Sequence, residues 1–597
     1  MSTLSNTIAE SQNAGWALRL RSLVEDVRKR EDRLALLLSL VIGALVGLVV
    51  VAFVLLTGRL AALMYPSGGW GWRRLVVPML GALVSGILLA RFFPDARGSG
   101  IPQTRAAIFI HDGRITFRTV FGKFVCCATS LASGIALGRE GPSVHIGSGI
   151  ASIIARRLGM SRVQVRWLVP VGGAAALAAA FNTPIAAVLF SMEEIMGDLH
   201  APILGSVVLS STTAWMVLHL VLGDEPLFHV AAYHLVSASE LMVYAALGVV
   251  GGFGSVGFVK LLLMLRRQFG RLPRSTAWIQ PVAGGLAVGL LGYFVPAVLG
   301  VGYDVVDRVL SGDLVLRTVV LLAFLKGIAT AVCYASGNAG GVFGPSMFLG
   351  AMIGAAVGSV AHALFPASTA GPGAYALVGM GTAFAGIIRT PLTSVIMIFE
   401  VTRDYTIIVP LMISNMIAFY ISQRFQHEPL YEALARQDGL HLPTGEFRMI
   451  ARHLQVAAAL RTAPALLPAD ISLRDARARV GEDELRSWPV ADSEGFAGMV
   501  RVADMELHGH GNETLGELLA RLRGDGPEAE RHGEVAHVHP DHPLGVALAR
   551  MGETGHAVLP VVSRANIRTL LGIVTIEDVL RAYGVERAEE VLEAEGG

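Results

Sequence analysis

A glutamate lies in a glycine-rich segment within a long apolar stretch. The segment reads Gly138-Arg139-Glu140-Gly141-Pro142-Ser143. A buried carboxyl group can exchange a proton, and its ionised form is costly to bury without a role or a partner. The glycines and the proline would break a spanning helix, and the freed amides of the next helix N-terminus suit an anion. The residue types indicate proton and anion chemistry; the alternative is a carboxylate satisfied locally by Arg139.

Two further glycine-rich breaks lie in the same apolar region. They are Gly98-Ser99-Gly100-Ile101-Pro102 and Gly341-Val342-Phe343-Gly344-Pro345. Freed backbone groups at membrane depth are tolerated only where they face protein or a wet cavity. Ser99 adds a neutral hydroxyl donor, which binds an anion less tightly than a lysine and so permits its release.

The apolar region contains an internal repeat. The copy that begins at Lys123 recurs at Lys326, so that Gly138 falls on Gly341, and a slightly longer shift places Glu193 on Glu400. Two membrane halves with matching breaks indicate a transport site at the repeat interface. Matched residues are expected to be structural: the two lysines pair with carbonyls or acids, and Glu193 caps or bonds a neighbouring helix.

Two acids break the repeat, because Glu140 falls on Phe343 and Glu194 falls on Val401. They are therefore the candidates for chemistry, although Glu194 could instead be a solvated charge at a helix end. His145 lies five residues after Glu140 and is expected to be a packed, hydrogen-bonded imidazole.

The composition indicates a polytopic membrane protein. The chain has 597 residues, of which 53% are hydrophobic and 16% charged, whereas soluble proteins have about a quarter charged. The apolar region runs from about 34 to 435, and Leu34–Leu56 is long enough to span a bilayer. Residues 1–33 are polar and are predicted to form a cytoplasmic N-terminal helix ending in a basic cluster. Nothing indicates nucleic acid, and the three cysteines lack metal-ligand spacing, so no metal is expected.

The C-terminal part changes character and contains two similar units. Each has a strand, a turn, a second strand and a helix start, and they are predicted to occupy 445–520 and 533–590. Thr575 is a plausible N-cap for the final helix.

The membrane part resembles the CLC family of chloride channels and chloride/proton antiporters. The resemblance rests on the three glycine-rich segments and on Tyr431 in Pro429-Leu430-Tyr431. It implies an all-α polytopic membrane domain with broken helices and two inverted-topology repeats, at about 34–222 and 236–435. It also implies a homodimer with one anion pathway per subunit.

The same resemblance assigns the site residues. Ser99, Tyr431 and the amides of Val342 and Phe343 would hold a central anion, and the amides from Arg139 to Gly141 would serve an outer site. Glu140 would be the gating acid, competing with chloride for the same donors. Glu194 would be the inner proton acceptor, since an acid there marks antiporters.

The C-terminal units resemble a pair of CBS modules with an α/β fold. In that family a hydroxyl at the position of Thr575 and an acid at that of Asp578 commonly contact a nucleotide, so ATP, ADP or AMP is a candidate regulatory ligand. The first unit has Arg501 where Ser or Thr is usual. The alternative is a purely structural dimerisation module.

The resulting functional hypothesis is a chloride/proton antiporter without a required cofactor, in a bacterial inner membrane with both termini cytoplasmic. The alternative is a passive voltage- or pH-gated chloride channel of the same family. An enzyme is not expected, because no Ser-His-Asp arrangement, metal cluster or phosphate-binding loop is legible in the membrane part.

Overall fold

The computed structural model describes most of the chain in two units, 1–442 and 443–597. The described residues are 34–66, 68–199, 203–224, 227–228, 236–440, 442, 454–480, 485, 487–507, 513–524 and 536–583. The predicted N-terminal helix over 1–33 lies outside the described residues.

The first unit is helical. The helices of its first half are α1 (Leu34–Met64), α2 (Arg73–Arg91), α3 (Ile101–Phe109), α4 (Phe117–Ala132), α5 (Glu140–Arg157), α6 (Arg162–Phe181), α7 (Pro184–Phe190) and α8 (Leu204–Leu222). Those of its second half are α9 (Glu240–Gly270), α10 (Gln280–Phe294), α11 (Tyr303–Leu310), α12 (Leu316–Ala335), α13 (Phe343–Leu364), α14 (Pro372–Ile387), α15 (Pro391–Thr402), α16 (Ile408–Phe425) and α17 (Leu430–Gln437).

The lengths of these helices divide them into spans and broken segments. Eight helical segments among the described residues are long and apolar enough to cross a membrane. In contrast, α3, α7 and α11 have nine residues or fewer, and α5 and α13 begin directly at glycine-rich breaks. The chain thus places helix N-termini, with their unpaired amides, inside the apolar region.

The predicted repeat is present as structure. Gly138 and Gly341, which are equivalent in the two copies, exchange two backbone hydrogen bonds of 2.7 Å each. Such reciprocal contacts between equivalent positions are what a two-fold relation between the halves produces. Glycine is required nearby because a Cβ on Gly147 would lie 2.4 Å from the carbonyl oxygen of Gly172. The equivalent contact recurs in the second half, where a Cβ on Gly350 would lie 2.2 Å from the Gly379 oxygen.

The second unit has two small sheets. Strand β1 (Leu467–Pro468) pairs in parallel with β2 (Ser487–Asp492), which pairs antiparallel with β3 (Gly495–Arg501). Strand β4 (Val558–Val562) pairs antiparallel with β5 (Leu570–Thr575). The helices of this unit are Leu473–Val480, Val502–Leu507, Leu515–Gly524, Leu544–Thr554 and Ile576–Ala582.

Each small sheet has its own apolar core. The first core contains Leu467, Trp488 and Val500, and the second contains Val561 and Val574. Residues 454–461 precede the first sheet along the chain but join the second, because the amide of Arg461 donates to the carbonyl of Ile573. The fold class expected from the sequence, a helical membrane domain followed by a small α/β domain, is confirmed.

Candidate anion and proton site

The three glycine-rich breaks meet at one place in the membrane unit. A Cβ on Gly141 would lie 2.4 Å from the carbonyl oxygen of Ser99 and 3.6 Å from the Cα of Gly341. Only residues without side chains allow three chain segments to approach this closely. The N-termini of α3, α5 and α13 therefore converge, and the first-turn amides of α5 and α13 have no partner within their own helices.

The Glu140 side chain occupies this meeting point. Glu140 is the first residue of α5 and is fully buried. Its Oε2 accepts a hydrogen bond of 3.2 Å from the Gly344 amide, and its Oε1 accepts one from the Tyr303 hydroxyl. A Cβ on Gly138 would lie 2.3 Å from Oε2, so the glycines form the pocket that holds the carboxylate.

Local neutralisation by Arg139 does not explain the buried carboxylate. The Arg139 guanidinium lies 5.2 Å from the centre of the Tyr303 ring. Within the described part of the chain, no Arg139–Glu140 ion pair of 4.0 Å or less is present. The carboxylate is instead held by neutral donors, the Gly344 amide and the Tyr303 hydroxyl. Neither donor was predicted as a partner from the sequence.

The other residues predicted for the anion lie in the same region. Ser99 and Tyr431 are both buried. Among the described residues, neither hydroxyl makes a hydrogen bond of normal length and angle. Tyr334 is a neighbour of Ser99. Val342 is the N-cap of α13 and Phe343 its first residue, so both amides lie at the helix N-terminus, where amides lack partners within the helix. The Phe343 ring is fixed by aromatic contacts with Phe181, Phe190 and Phe384.

Glu194 is buried in a charged cluster that sequence reasoning missed. It lies on a π-helical turn (Ser191–Met196) directly after α7. Arg105 donates to Glu194 over 2.9 Å and to Glu432 over 3.1 Å, and the side chains of Arg105 and Glu194 are only 3% and 7% exposed. Glu194 is therefore not a solvated charge at a helix end.

Two carboxylates share one guanidinium in this cluster. When both acids are ionised, the cluster of Arg105, Glu194 and Glu432 has a net charge of −1, so it could accept one proton and become neutral. Glu432 directly follows Tyr431, so the cluster adjoins the residues expected at the anion. Arg105, a cation inside a short apolar helix, was the signal available in the sequence, because a buried cation requires an acidic partner.

The residues expected to be structural have structural contacts. Glu193 accepts from the amides of Leu392 and Thr393, while Glu400 accepts from those of Ile185 and Ala186. This capping of a neighbouring helix confirms the prediction for Glu193.

The paired lysines also have the partners expected of them. Lys123 donates to the carbonyls of Ala96 and Gly98 over 2.7 and 2.8 Å, and Lys326 donates to those of Val298 and Gly300. His145 is buried, and its Nδ1 lies 3.0 Å from the Gly100 carbonyl oxygen, as expected for a packed imidazole.

The two residues predicted to contact a nucleotide, Thr575 and Asp578, lie in the unit 443–597 and are hydrogen-bonded to each other. Thr575 caps the final helix, since its hydroxyl accepts from the Asp578 amide and donates to the Asp578 carboxylate. Asp578 also pairs with Arg461 over 2.9 Å. In the first C-terminal module, Arg501 pairs with Asp504 over 2.8 Å, so the Asp504 carboxylate is already bound to an arginine.

A metal site is not found in the described residues. Among them, no three His, Cys, Asp or Glu side chains are grouped so as to hold an ion. All three cysteines are free and buried.

Two family models match the chain. The model described as "Voltage gated chloride channel" matches residues 81–423, and the model of the CBS domain matches residues 532–585. The first match covers more than half of the chain and contains the breaks at 138–143 and 341–345. The second contains Thr575 and Asp578.

Named relatives and a solved structure are similar to the same region. A Ralstonia nicotianae protein named as a ClcB-like chloride channel protein is 34% identical over 62% of this chain and 88% of its own length. The H(+)/Cl(-) exchange transporter ClcA of Salmonella arizonae is 30% identical over 70% of this chain and 92% of its own length. A slow cyanobacterial Cl-/H+ antiporter superposes with a TM-score of 0.63 at 25% identity, covering 68% of this chain and 97% of that one.

Proposed function

The chain belongs to the CLC family of voltage gated chloride channels, and we propose that it is a chloride/proton antiporter. In this proposal Glu140 gates the anion pathway, and Glu194 accepts protons on the inner side. The chain is a polytopic membrane transporter and not an enzyme.

The observation that carries the proposal is the position of the Glu140 carboxylate. It accepts a hydrogen bond from the Gly344 amide at the point where the N-termini of α5 and α13 meet. Helix N-termini favour anions through their free amides and positive partial charge. The carboxylate and a chloride ion therefore compete for the same donors. Protonation removes the charge of Glu140, releases it from these donors and opens the site to the anion.

The second proton group is Glu194, which lies beside the anion residues without touching Glu140. It is buried, and its charge is balanced by Arg105. The Glu432 side chain is 16% exposed and shares the same guanidinium. We infer that protons arrive through this cluster and are passed to Glu140, so that anion and proton paths overlap only near the gate.

The relatives' names support the chosen ions, since two of the three proteins described above are named for chloride and proton exchange. From the family resemblance we further propose a bacterial inner-membrane location with cytoplasmic termini. We also propose a homodimer in which each subunit has its own pathway.

Flux measured in liposomes tests this function. The purified chain is reconstituted, a chloride gradient is applied, and proton and chloride movements are recorded together. The wild type is expected to move protons against their own gradient, driven by chloride that moves down its gradient in the opposite direction. Glu194→Gln is expected to keep chloride flux and lose proton movement, whereas Glu140→Gln is expected to lose both proton movement and the pH dependence of chloride flux. Chloride flux without coupled protons in the wild type overturns the antiporter.

A passive chloride conductance is the second candidate, and one observation favours it. Burial of Glu194 favours its neutral form, whereas the bonded Arg105 guanidinium favours the ionised form and so opposes proton uptake there. If that stabilisation prevents protonation during turnover, chloride moves down its gradient alone. The Ralstonia relative is named as a chloride channel protein.

We also propose that an adenine nucleotide binds to the second module and regulates transport. The Thr575 hydroxyl and the Asp578 carboxylate lie at the start of the final helix, which they cap. Arg461 is the cation closest to them, and its side chain is 45% exposed. A ligand phosphate could therefore take over Arg461 from Asp578.

A further inference from the structure

Two loops of the membrane unit have the same construction and approach the same site from the two halves. The first loop precedes α3 and the second precedes α11. Each has two glycines with positive φ, Gly98 and Gly100 in the first and Gly300 and Gly302 in the second. Each ends in a short helix whose N-cap is the second of these glycines.

A buried lysine fixes each loop. Lys123 bonds the carbonyls of residues 96, 97 and 98 at the first loop, and Lys326 bonds two carbonyls at the second. A side chain on Gly302 would lie 2.9 Å from the Phe348 ring and 3.3 Å from the Lys326 Nζ, so the second loop is tightly packed. The loops are therefore rigid supports for whatever they carry to the site.

The first loop brings a hydroxyl to the anion site through Ser99. The corresponding position in the second loop is Val301, which has no polar side chain. It packs against the pocket, because a Cβ on Gly344 would lie 3.0 Å from Val301 Cγ1. The hydroxyl of the second half comes instead from Tyr303, the first residue of α11.

The Tyr303 hydroxyl is aimed into the pocket of the gate. It donates to Oε1 of Glu140, and it lies 3.1 Å from where a Cβ on Gly344 would be. The ring is contacted by the Arg139 guanidinium, 5.2 Å from the ring centre, and by the perpendicular Phe228 ring, whose centre lies 5.4 Å away. An aromatic ring fixed in this way presents its hydroxyl in one direction at little further entropic cost.

We propose that Tyr303 is a ligand of the outer anion site, where its hydroxyl binds the Glu140 carboxylate when the gate is closed and the transported anion when the gate has left. Like the Ser99 hydroxyl, it is a neutral donor, so it holds an anion without trapping it. The inference rests on the proposed role of Glu140 as the gate and adds a donor that the family resemblance did not assign.

Two consequences distinguish this role from simple packing. Since the hydroxyl stabilises the ionised gate, its removal should allow Glu140 to be protonated at higher pH. Since the same hydroxyl binds the anion, its removal should also weaken anion binding when no gate carboxylate is present. The other charged groups around the pair are Arg139, the loop-bound Lys326 and the exposed Asp304. None of them is changed by substitution of Tyr303.

The test uses Tyr303→Phe in the full chain, which keeps the ring and its contacts. The midpoint of the pH dependence of chloride flux is expected to move up by about one unit. In a Glu140→Gln background the pH shift should disappear, while calorimetry of the purified protein should show chloride binding weakened by about tenfold relative to Glu140→Gln alone.

A matched control is Tyr244→Phe, which also removes a buried tyrosine hydroxyl that donates to a glutamate, here Glu240, but within α9 and not in this loop. It should leave the midpoint and the chloride affinity unchanged. The inference is wrong if Tyr303→Phe leaves the chloride affinity of the Glu140→Gln protein unchanged, if it leaves the wild-type midpoint unchanged, or if Tyr244→Phe moves both quantities equally. Chloride binding is measured at equilibrium, so this result stands even if the wild type proves to be a passive conductance.

Discussion

Glu193 in the first half of the membrane unit caps a helix of the second half, and Glu400 in the second half caps a helix of the first. Glu193 follows α7 and binds the first amides of α15, at 3.3 and 2.8 Å, while Glu400 lies in α15 and binds the first amides of α7, at 2.9 and 2.7 Å. A negative charge at a helix N-terminus satisfies unpaired amides and interacts favourably with the helix dipole. The reciprocal exchange joins the two repeats at equivalent positions.

We predict that Glu193→Ala and Glu400→Ala lower the thermal stability of the purified chain by similar amounts. Each leaves two amides without their carboxylate acceptor, which costs about 1–3 kcal/mol. Melting in detergent, followed by loss of the monodisperse protein, measures the effect. Asp224→Ala, which removes an ion pair exposed to solvent, should change the melting temperature much less. A large loss for one glutamate and none for the other would contradict the symmetric role.

The cluster of Arg105, Glu194 and Glu432 predicts that two substitutions shift the pH midpoint of proton flux in opposite directions. Arg105→Gln removes the only cation bonded to Glu194 in the described structure, so Glu194 should accept a proton more readily and proton flux should reach its midpoint at higher pH. Glu432→Gln leaves Arg105 to Glu194 alone and should move the midpoint to lower pH. Shifts of about one pH unit correspond to about 1.4 kcal/mol. The measurement is proton uptake into liposomes over a series of pH values.

The control for this pair is the same measurement on Glu194→Gln, which should show no proton uptake to titrate. Arg105→Gln also leaves buried carboxylates without a partner, so its stability should fall, and Glu432→Gln should retain stability. If the midpoint of proton uptake moved in the same direction in both variants, Arg105 would not stabilise both carboxylates as proposed.

The sequence predicted the architecture well because the repeat and the apolar stretches are properties of the chain itself. The glycine-rich breaks marked the meeting of helix N-termini, since glycine and proline at membrane depth require such a structure. The paired lysines and Glu193 were recognised as structural because a residue retained in both halves has a role common to both halves.

The parts that sequence reasoning missed are long-range pairings. Arg105 lies 89 positions from Glu194 and 327 from Glu432, and only the packed helices determine that they meet. Gly344 was not named as a donor to the gate, because the resemblance pointed to the two preceding amides. Tyr303 has no repeat partner with a hydroxyl, so nothing in the pattern marked it.

Gly344 gives a third prediction, about space in the gate pocket. A methyl group there would lie 3.1 Å from the Tyr303 hydroxyl and 3.2 Å from the Glu140 Oε2. We therefore expect Gly344→Ala to disturb the docked carboxylate and to raise the pH at which chloride flux is half-maximal. Flux in liposomes over a pH series measures this.

A glycine in open space provides the comparison. Gly257 lies within α9, and a Cβ placed there would have no atom within 4 Å. Gly257→Ala should therefore leave the pH dependence unchanged and slightly favour the helix, since alanine has the higher helix propensity. An unchanged midpoint in Gly344→Ala would mean that the carboxylate does not need the position seen in the structure.

The last prediction concerns nucleotide binding to the second module. Calorimetry of the full chain with ATP, ADP and AMP is expected to detect binding of at least one of them. Asp578→Asn should weaken it, because the substitution removes the ribose-binding acid expected from the resemblance. Asp504→Asn is the matched control: it changes the corresponding acid of the first module, whose carboxylate is already occupied by Arg501. Equal effects of the two substitutions would show that the difference between the modules is irrelevant to the ligand. Absence of heat and of a thermal shift with all three nucleotides would leave the second module with a structural role, in which Thr575 and Asp578 serve only to cap the final helix.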